Sequence, residues 1–287
     1  MQQVVTHSGK FHADDVLSWS LLQEFYPHPM KLTRTRKQDI IKNADIVFDV
    51  GGIYDPASGR FDHHQNEYQG SLSSAGMILQ WLLDKRYLNQ EIYEALRSKI
   101  VAYVDDVDNG RVETSKAIPC FATIVDLFNR SASTLDEFDQ QFAEATAMAT
   151  SIIQHLLQEE RTLQKASILV FQAMKHAENT ESNLIELSEY LPWKPTYFAN
   201  EGESHPTEFV MFPKLEETWQ VVAIPPKEDS FAQKRSFPES WAGLRDEKLS
   251  EVTGEDAVFC HKNRFIAVFK TREGALSAMK RFGLLKE

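Results

Sequence analysis

Two neighbouring stretches organise this chain: IVFDVGG at residues 46–52 and FDHHQ at residues 61–65. The first is an apolar run that ends in a glycine pair, and it predicts a buried strand over residues 45–50. The second places three metal-competent side chains in a row, Asp62, His63 and His64. The two rings of a His-His pair generally point in different directions, so one ring can hold a metal while the other faces a substrate.

The residues before this region alternate between strand and helix patterns. Short strands are expected at residues 4–6 and 30–34, an apolar helix with Asp14 or Asp15 as its N-cap runs up to Pro27, and a polar helix follows near residues 38–43. This order predicts a parallel α/β sheet. Ligands bind outside the carboxyl ends of such strands. His7, Asp49 and the run at residues 62–64 are therefore expected at one sheet edge.

The rest of the chain predicts helices and then a second, smaller domain. Helices are expected from Ser73 or Ser74, from about Glu91, over 119–129 and over 135–178, where a poor heptad count favours packed helices over a coiled coil. Beyond Ser182 the pattern changes to strands at 183–187, 208–212, 219–224, 257–260 and 265–269, with helices at 246–250 and 272–282. The predicted domains are 1–181, catalytic and metal-binding, and 182–287, α+β and substrate-binding.

Bulk composition narrows the class of protein. The 287 residues allow about two domains, and the formal net charge of −11 argues against sequence-blind adhesion to nucleic acid. Cys120 and Cys260 form no CxxC pair, which favours a reduced, cytoplasmic setting. Neither a signal peptide nor an apolar run of about 20 residues is visible, so we expect no membrane span.

Each candidate ligand has an ordinary explanation when it is taken alone. His7 can be a polar loop residue and Asp14 a helix cap, whereas a carboxylate at Asp49 ends a buried strand and is costly unless it has a cationic partner. Asp105 and Asp108 share a helical face if the helix persists, or else form a solvated helix end. Taken together, carboxylates with imidazoles favour Mn²⁺ or Mg²⁺. Two such ions about 3.5–4 Å apart activate water for phosphoester hydrolysis.

These residues, in this order, resemble the DHH phosphoesterases, and more closely the melanocyte-proliferating-gene (Myg) proteins, long labelled metal-dependent protein hydrolases and later regarded as RNA exonucleases. The resemblance covers nearly the whole chain. It rests on THSGKFHADD at 6–15, DVGG at 49–52, RFDHHQ at 60–65, VDNG at 107–110, WQVVAIP at 219–225, WAGLR at 241–245 and TREGAL at 271–276.

The resemblance implies a role for each matching residue. His7, Asp14, Asp49 and His63 would bind metal, with the last carboxylate from Asp105 or Asp108. His12 stands where the superfamily has an aspartate, and it either replaces that ligand or orients one. His64 would contact the substrate phosphate, and Asp49 and Asp62 complete the predicted catalytic residues. Two Mn²⁺ ions, or Mg²⁺, are the expected cofactors.

The predicted substrate-binding residues are basic. DHH enzymes often use a glycine-rich loop in the second domain, but the hairpin at residues 260–265 has no glycine. Phosphates would instead pair with side chains, and a solvated basic hairpin is the alternative. The candidates are Lys10, Arg245, Lys262, Arg264 and Arg272.

The resulting expectation is a metal-dependent phosphoesterase, a 3′→5′ exonuclease on RNA or short oligonucleotides, with substrate in the cleft between the domains. One alternative is a small-molecule phosphatase or pyrophosphatase, which a basic cluster would favour, whereas aromatic platforms for bases would favour the nuclease. Another is a metal-stabilised binding protein without turnover. RNA is the expected partner, and a homodimer is compatible with the sequence.

Overall fold

The computed structural model describes residues 1–115, 117–214 and 217–286. The chain divides into two compact units, Met1–Glu160 and Arg161–Glu287. Both units combine helices with a five-stranded sheet, so the predicted α/β class is confirmed. Among the helices of the described residues, none is both long enough and apolar enough to cross a membrane.

The sheet of the first unit is mainly parallel. Its strands are β1 (Gln2–Thr6), β2 (Met30–Arg34), β3 (Ile46–Phe48), β4 (Tyr54–Asp55) and β5 (Arg60–Phe61). They lie in the order β2-β1-β3-β5-β4, and only the β4–β5 pair is antiparallel. β3 is shorter than the predicted 45–50 because Asp49 takes a positive φ of 56° and turns the chain out of the strand.

Helices cover this sheet. They are α1 (Ala13–Phe25), α2 (Gln38–Asn43), α3 (Ser74–Asp84), α4 (Gln90–Leu96), α5 (Ala102–Asp108), α6 (Phe121–Asn129) and α7 (Leu135–Asn179), with a π-helical turn (Arg97–Val101) between α4 and α5. The prediction that Asp14 or Asp15 caps α1 was wrong. His12 is the N-cap residue, and both aspartates lie in the first helical turn. Negative charge there interacts favourably with the helix dipole.

Helix α7 corrects a second expectation. Residues 135–178 were predicted to form packed helices, but the structure has one helix of 45 residues from Leu135 to Asn179. The segment contains neither proline nor glycine, so nothing in its backbone chemistry interrupts the helical hydrogen bonds. Its buried residues up to Leu157 join the core of the first unit, and those from Ala166 join a core of the second.

The second unit is built on a mixed sheet with both faces covered. Its strands are β6 (Leu184–Glu186), β7 (Phe209–Pro213), β8 (Trp219–Ala223), β9 (Ala257–Cys260) and β10 (Ile266–Phe269), in the order β6-β7-β8-β10-β9. Its helices are α8 (Trp193–Ala199), α9 (Asp246–Thr253) and α10 (Arg272–Arg281). Alternate residues of β7 enter two different cores, Phe209 one and Val210 the other, as the two-residue period of a strand requires.

Candidate metal centre

The candidate site lies at the carboxyl edge of the first sheet. His7 follows β1, Asp49 follows β3, and the run from Asp62 to His64 follows β5. Asp14 and Asp15 come from the first turn of α1, and Asp108 is the last residue of α5. Parallel strands end at the same edge, so residues far apart in sequence meet there.

Asp49 is at the centre of this arrangement. Its Oδ2 lies 3.1 Å from Nε2 of His7, and its Oδ1 lies 3.5 Å from Nε2 of His63. The carboxylate is buried and thus directs one oxygen to each histidine. A carboxylate placed in this way can bridge two cations.

Asp15 completes the side of the cluster around His7. Its Oδ2 lies 2.8 Å from Nε2 of His7 and also accepts a hydrogen bond from the backbone N–H of His12. Asp15 was not among the predicted ligands, although its position makes it a candidate. The pair Asp14-Asp15 was itself the available signal, because successive helical residues point about 100° apart and can serve two neighbouring positions.

Asp14 and Asp108 lie on the other side, around His63. Nε2 of His63 is 3.1 Å from Oδ2 of Asp108 and 3.8 Å from Oδ2 of Asp14. Asp14 is fully buried, and its Oδ2 also accepts a hydrogen bond from Oγ of Ser74 at 2.8 Å. The structure therefore brings together His63, Asp14, Asp49 and Asp108.

His64 is held differently from its neighbour. Its Nδ1 lies 2.8 Å from Oδ1 of Asp62, and its side chain is 60% exposed, against 6% for His63. Asp62 is fixed in turn by the backbone N–H groups of Gly52 and His64. The consecutive histidines thus differ as expected, one buried in the acidic cluster and one open to solvent.

The donor set fits divalent cations. In the described part of the chain, three groups of side chains have ligand atoms within 4.8 Å of one another: His7, His12, Asp15 and Asp49; Asp49, His63 and His64; and His12, Asp14 and Asp108. Among the described residues, Oδ1 of Asp14 and Oδ1 of Asp15 are buried without a hydrogen-bond partner. Both oxygens of Asp49 and Nε2 of His63 are also buried without a well-formed hydrogen bond to these residues, and they make the ion-pair contacts given above. Buried carboxylates are costly without partners, and carboxylate with imidazole suits Mn²⁺ or Mg²⁺.

Burial and mutual contacts shift the pKa values of the acids and histidines in the cluster. Burial and the neighbouring charges of Asp49 and Asp108 raise the pKa of Asp14 well above its usual value. Burial opposes protonation of His7, but its contacts with Asp15 and Asp49 raise its pKa to about 10. Burial would raise the pKa of Asp49, yet the contacts with His63 and His7 hold it below its usual range. The carboxylates therefore favour the protonated forms of His7 and His63, as they would favour any nearby cation.

The structure does not bring Asp105 into this cluster. Its Oδ1 accepts hydrogen bonds from the backbone N–H and the hydroxyl of Ser73 and from the N–H of Gly76, and its Oδ2 pairs with Arg97. Asp105 therefore binds the N-terminus of α3, where free N–H groups favour an anion. A Cβ at position 76 would lie 2.5 Å from Oδ2 of Asp105, so this contact requires glycine there.

The predicted substrate-binding residues are divided between the two units. Lys10, in the first unit, is exposed and pairs with Asp126 at 3.1 Å. In the second unit, Arg245 lies over the ring of Phe259 at 4.6 Å, Arg264 donates to the carbonyl of Phe237, and Arg272 pairs with Glu186. Lys262 is exposed. Lys262 and Arg264 lie in the hairpin between β9 and β10.

Comparison with known proteins shows the family to which the chain belongs. Residues 3–282 match the model of a family described as an uncharacterised protein family, UPF0160. The chain is 35% identical to the MYG1 protein of Chlamydia pneumoniae, covering 97% of this chain and 96% of that protein. It is 31% identical to the MYG1 exonuclease of Homo sapiens (96% and 84%), and 30% identical to the MYG1 protein of Dictyostelium discoideum (95% and 94%). The Myg resemblance is thereby confirmed, and the chain belongs to the MYG1 family.

Proposed function

We propose that this protein is a divalent-metal-dependent exonuclease that hydrolyses phosphodiester bonds in RNA or short oligonucleotides from the 3′ end. The observation that carries the proposal is the position of Asp49, whose two oxygens face two separate histidines. This is the placement required of a carboxylate shared by two ions. Relatives named MYG1 exonuclease support the nuclease activity.

The proposed ligands form two sets that share Asp49. His7 and Asp15 would hold one ion, and Asp14, His63 and Asp108 would hold the other. His12 lies within reach of ligand atoms in both sets. Two divalent ions in such a site supply an activated water and balance charge on the attacking and leaving oxygens. Asp105 is not in this set. The expectations of a DHH-type fold, a cytoplasmic location and a homodimer remain predictions.

His64 is the proposed contact to the substrate phosphate. Its hydrogen bond with Asp62, despite partial burial, raises its pKa, which favours the doubly protonated ring. With Nδ1 held by Asp62, the second N–H is available to an anionic phosphate oxygen. The side chain is open to solvent, as a residue that meets a substrate must be.

The test uses purified protein with Mn²⁺ or with Mg²⁺. Substrates are 5′-labelled short RNA, the matching DNA, pyrophosphate and a generic phosphodiester, and each is also given to Asp49→Asn and His63→Ala. We expect stepwise shortening of RNA from the 3′ end by the wild type and at least a 100-fold loss in both variants. Asn89→Ala, which removes the exposed cap of α4, is the control that should keep activity.

Each of the other possible results of this assay would support a different function for the protein. Hydrolysis of pyrophosphate without RNA cleavage would indicate a small-molecule phosphatase. Bound metal without hydrolysis of any substrate would indicate a binding protein. Equal activity of wild type and Asp49→Asn would exclude the metal-centre assignment itself.

A further inference from the structure

A pocket of about 540 Å³ opens beside the metal centre, within the first unit. This volume is in the range of small-molecule sites, about 300–1,000 Å³. One set of lining residues is polar and belongs to the proposed catalytic region: His12, His63, His64, Asp108 and Asn109. The remaining lining residues come from α1, α5, α6 and the loop before α1: Phe11, Ala13, Val104, Val107, Ala122 and Asp126.

The two sets of lining residues differ in chemistry. Val107 and Ala122 are apolar and partly exposed, whereas Phe11 and Val104 are 0% and 1% exposed and contribute almost no accessible surface. No lysine or arginine is among the residues that line the pocket in the described part of the chain. A compact polyanion such as pyrophosphate would meet only Lys10 and Arg130 here, and both already pair with the carboxylate of Asp126. A flat, neutral, largely apolar group would displace water from the apolar lining residues favourably.

Asp126, on α6, adds a carboxylate to the second set of lining residues. Lys10 lies 3.1 Å from its Oδ1, and Arg130 lies 3.5 Å from its Oδ2. The bond to Lys10, despite some burial, lowers the pKa of Asp126, so the group is a carboxylate at neutral pH. Each carboxylate oxygen has more than one lone pair, so Asp126 can also accept a hydrogen bond from a ribose hydroxyl or from a base amino group.

We infer that the apolar half of this pocket binds the nucleoside of the nucleotide being released, with Ala122 leaving room for the base and Asp126 accepting a hydrogen bond from it. The inference rests on the proposed nuclease function and names the substrate class of the same site. The phosphate would lie toward His64 and the metal ligands, and the base toward α6. This favours a nucleotide substrate over pyrophosphate.

The experiment uses a substitution whose larger side chain fills the pocket. Ala122→Phe is compared with Ala143→Phe, the same change on α7, where Ala143 lines a separate groove of the first unit. Calorimetry with Mn²⁺ measures the Kd of adenosine 5′-monophosphate and of inorganic phosphate. The wild type and Ala143→Phe should bind the nucleotide at least tenfold tighter than phosphate, and Ala122→Phe should lose this preference while it still binds phosphate.

A substrate change gives a second, independent measurement. RNA whose 3′-terminal nucleotide lacks its base should show at least a tenfold higher KM than intact RNA with the wild type. With Ala122→Phe the two substrates should be alike. If a thermal melt shows that Ala122→Phe is unfolded, Ala122→Leu fills the same position with a smaller side chain and is used in its place.

The outcomes separate this inference from the proposed function. If the wild type cleaves RNA but binds nucleotide and phosphate equally, or if Ala122→Phe keeps the preference, the subsite is wrong and the nuclease stands. If no substrate is cleaved but the preference exists and Ala122→Phe removes it, the nucleoside subsite stands and the nuclease proposal fails.

Discussion

The side-chain oxygen of Asn109 lies 3.4 Å from Nδ1 of His63. The orientation of this amide is set by its other end, because Nδ2 donates to the backbone carbonyl of Asp105 at 2.9 Å. Oδ1 therefore faces His63 as an acceptor and places the proton of a neutral ring on Nδ1. The lone pair of Nε2 is then directed at Asp14, Asp49 and Asp108, as a metal ligand requires.

Asn109→Ala should therefore weaken metal binding. Loss of such a supporting hydrogen bond typically costs about 10–100-fold in metal affinity, measured here by Mn²⁺ titration. Asn89→Ala is the matched control, since it removes a helix cap worth about 1 kcal/mol away from the proposed ligands. A purely structural role for Asn109 would give both variants the same metal affinity and similar losses of stability.

Asp105 and Asp108 should separate stability from metal binding. Asp105→Asn leaves Arg97 without its carboxylate and weakens the contacts to the start of α3, so we expect a loss of about 3 kcal/mol in the free energy of unfolding. Burial and nearby Asp49 raise the pKa of Asp108, so Asp108→Asn should be neutral or stabilising without metal. Urea unfolding in chelator checks both expectations.

Metal titration of the same pair gives the opposite order. Asp108→Asn should lose at least tenfold in Mn²⁺ affinity, and folded Asp105→Asn should retain it. Equal losses in the two variants would contradict the assignment of Asp105 to the start of α3.

The backbone conformation of Asp49 leads to a third prediction. Its φ of 56° is in the left-handed region, which asparagine adopts more readily than alanine. Asp49→Asn should therefore be more stable than Asp49→Ala by about 1 kcal/mol in urea unfolding with chelator, while both lose metal binding. A more stable Asp49→Ala would show that the side chain, and not the backbone, decides.

Metal binding should release protons. His7 has a pKa of about 10 in the metal-free protein, because Asp15 and Asp49 outweigh the effect of burial. A raised pKa means that protonated His7 stabilises the metal-free fold fully below about pH 6.5, and that this contribution is lost as pH rises through about 10. A histidine that binds metal must be neutral, so affinity should rise with pH across that window.

Calorimetry at pH 7.5 in buffers of different ionisation enthalpy measures this release directly. We expect at least one proton per protein, and fewer with His7→Gln. Heats that do not depend on the buffer would contradict the protonation state of His7.

Local patterns were sufficient for most elements and for the meeting of His7, Asp49 and His63 at one sheet edge, because strand ends converge in any parallel sheet. They could not separate Asp105 from Asp108, which share one helical face. Packing of Asp105 against the start of α3 decides that question. Helix α8 was not predicted; it has only seven residues, and Pro195 lies in its first turn, where proline is tolerated. Asp15 was missed because Asp14 or Asp15 was predicted to be the N-cap of α1, whereas both lie inside its first turn.

The positions of the candidate ligands along the sequence also determine when each of them leaves the ribosome. The whole first sheet and the candidate ligands from His7 to His63 lie within the first 64 residues, whereas Asp108 arrives with α5. At about 5–20 residues per second of synthesis, the growing chain presents this set of acids and histidines for seconds before the last carboxylate leaves the ribosome. A nascent chain could therefore capture its first ion before its second binding position exists.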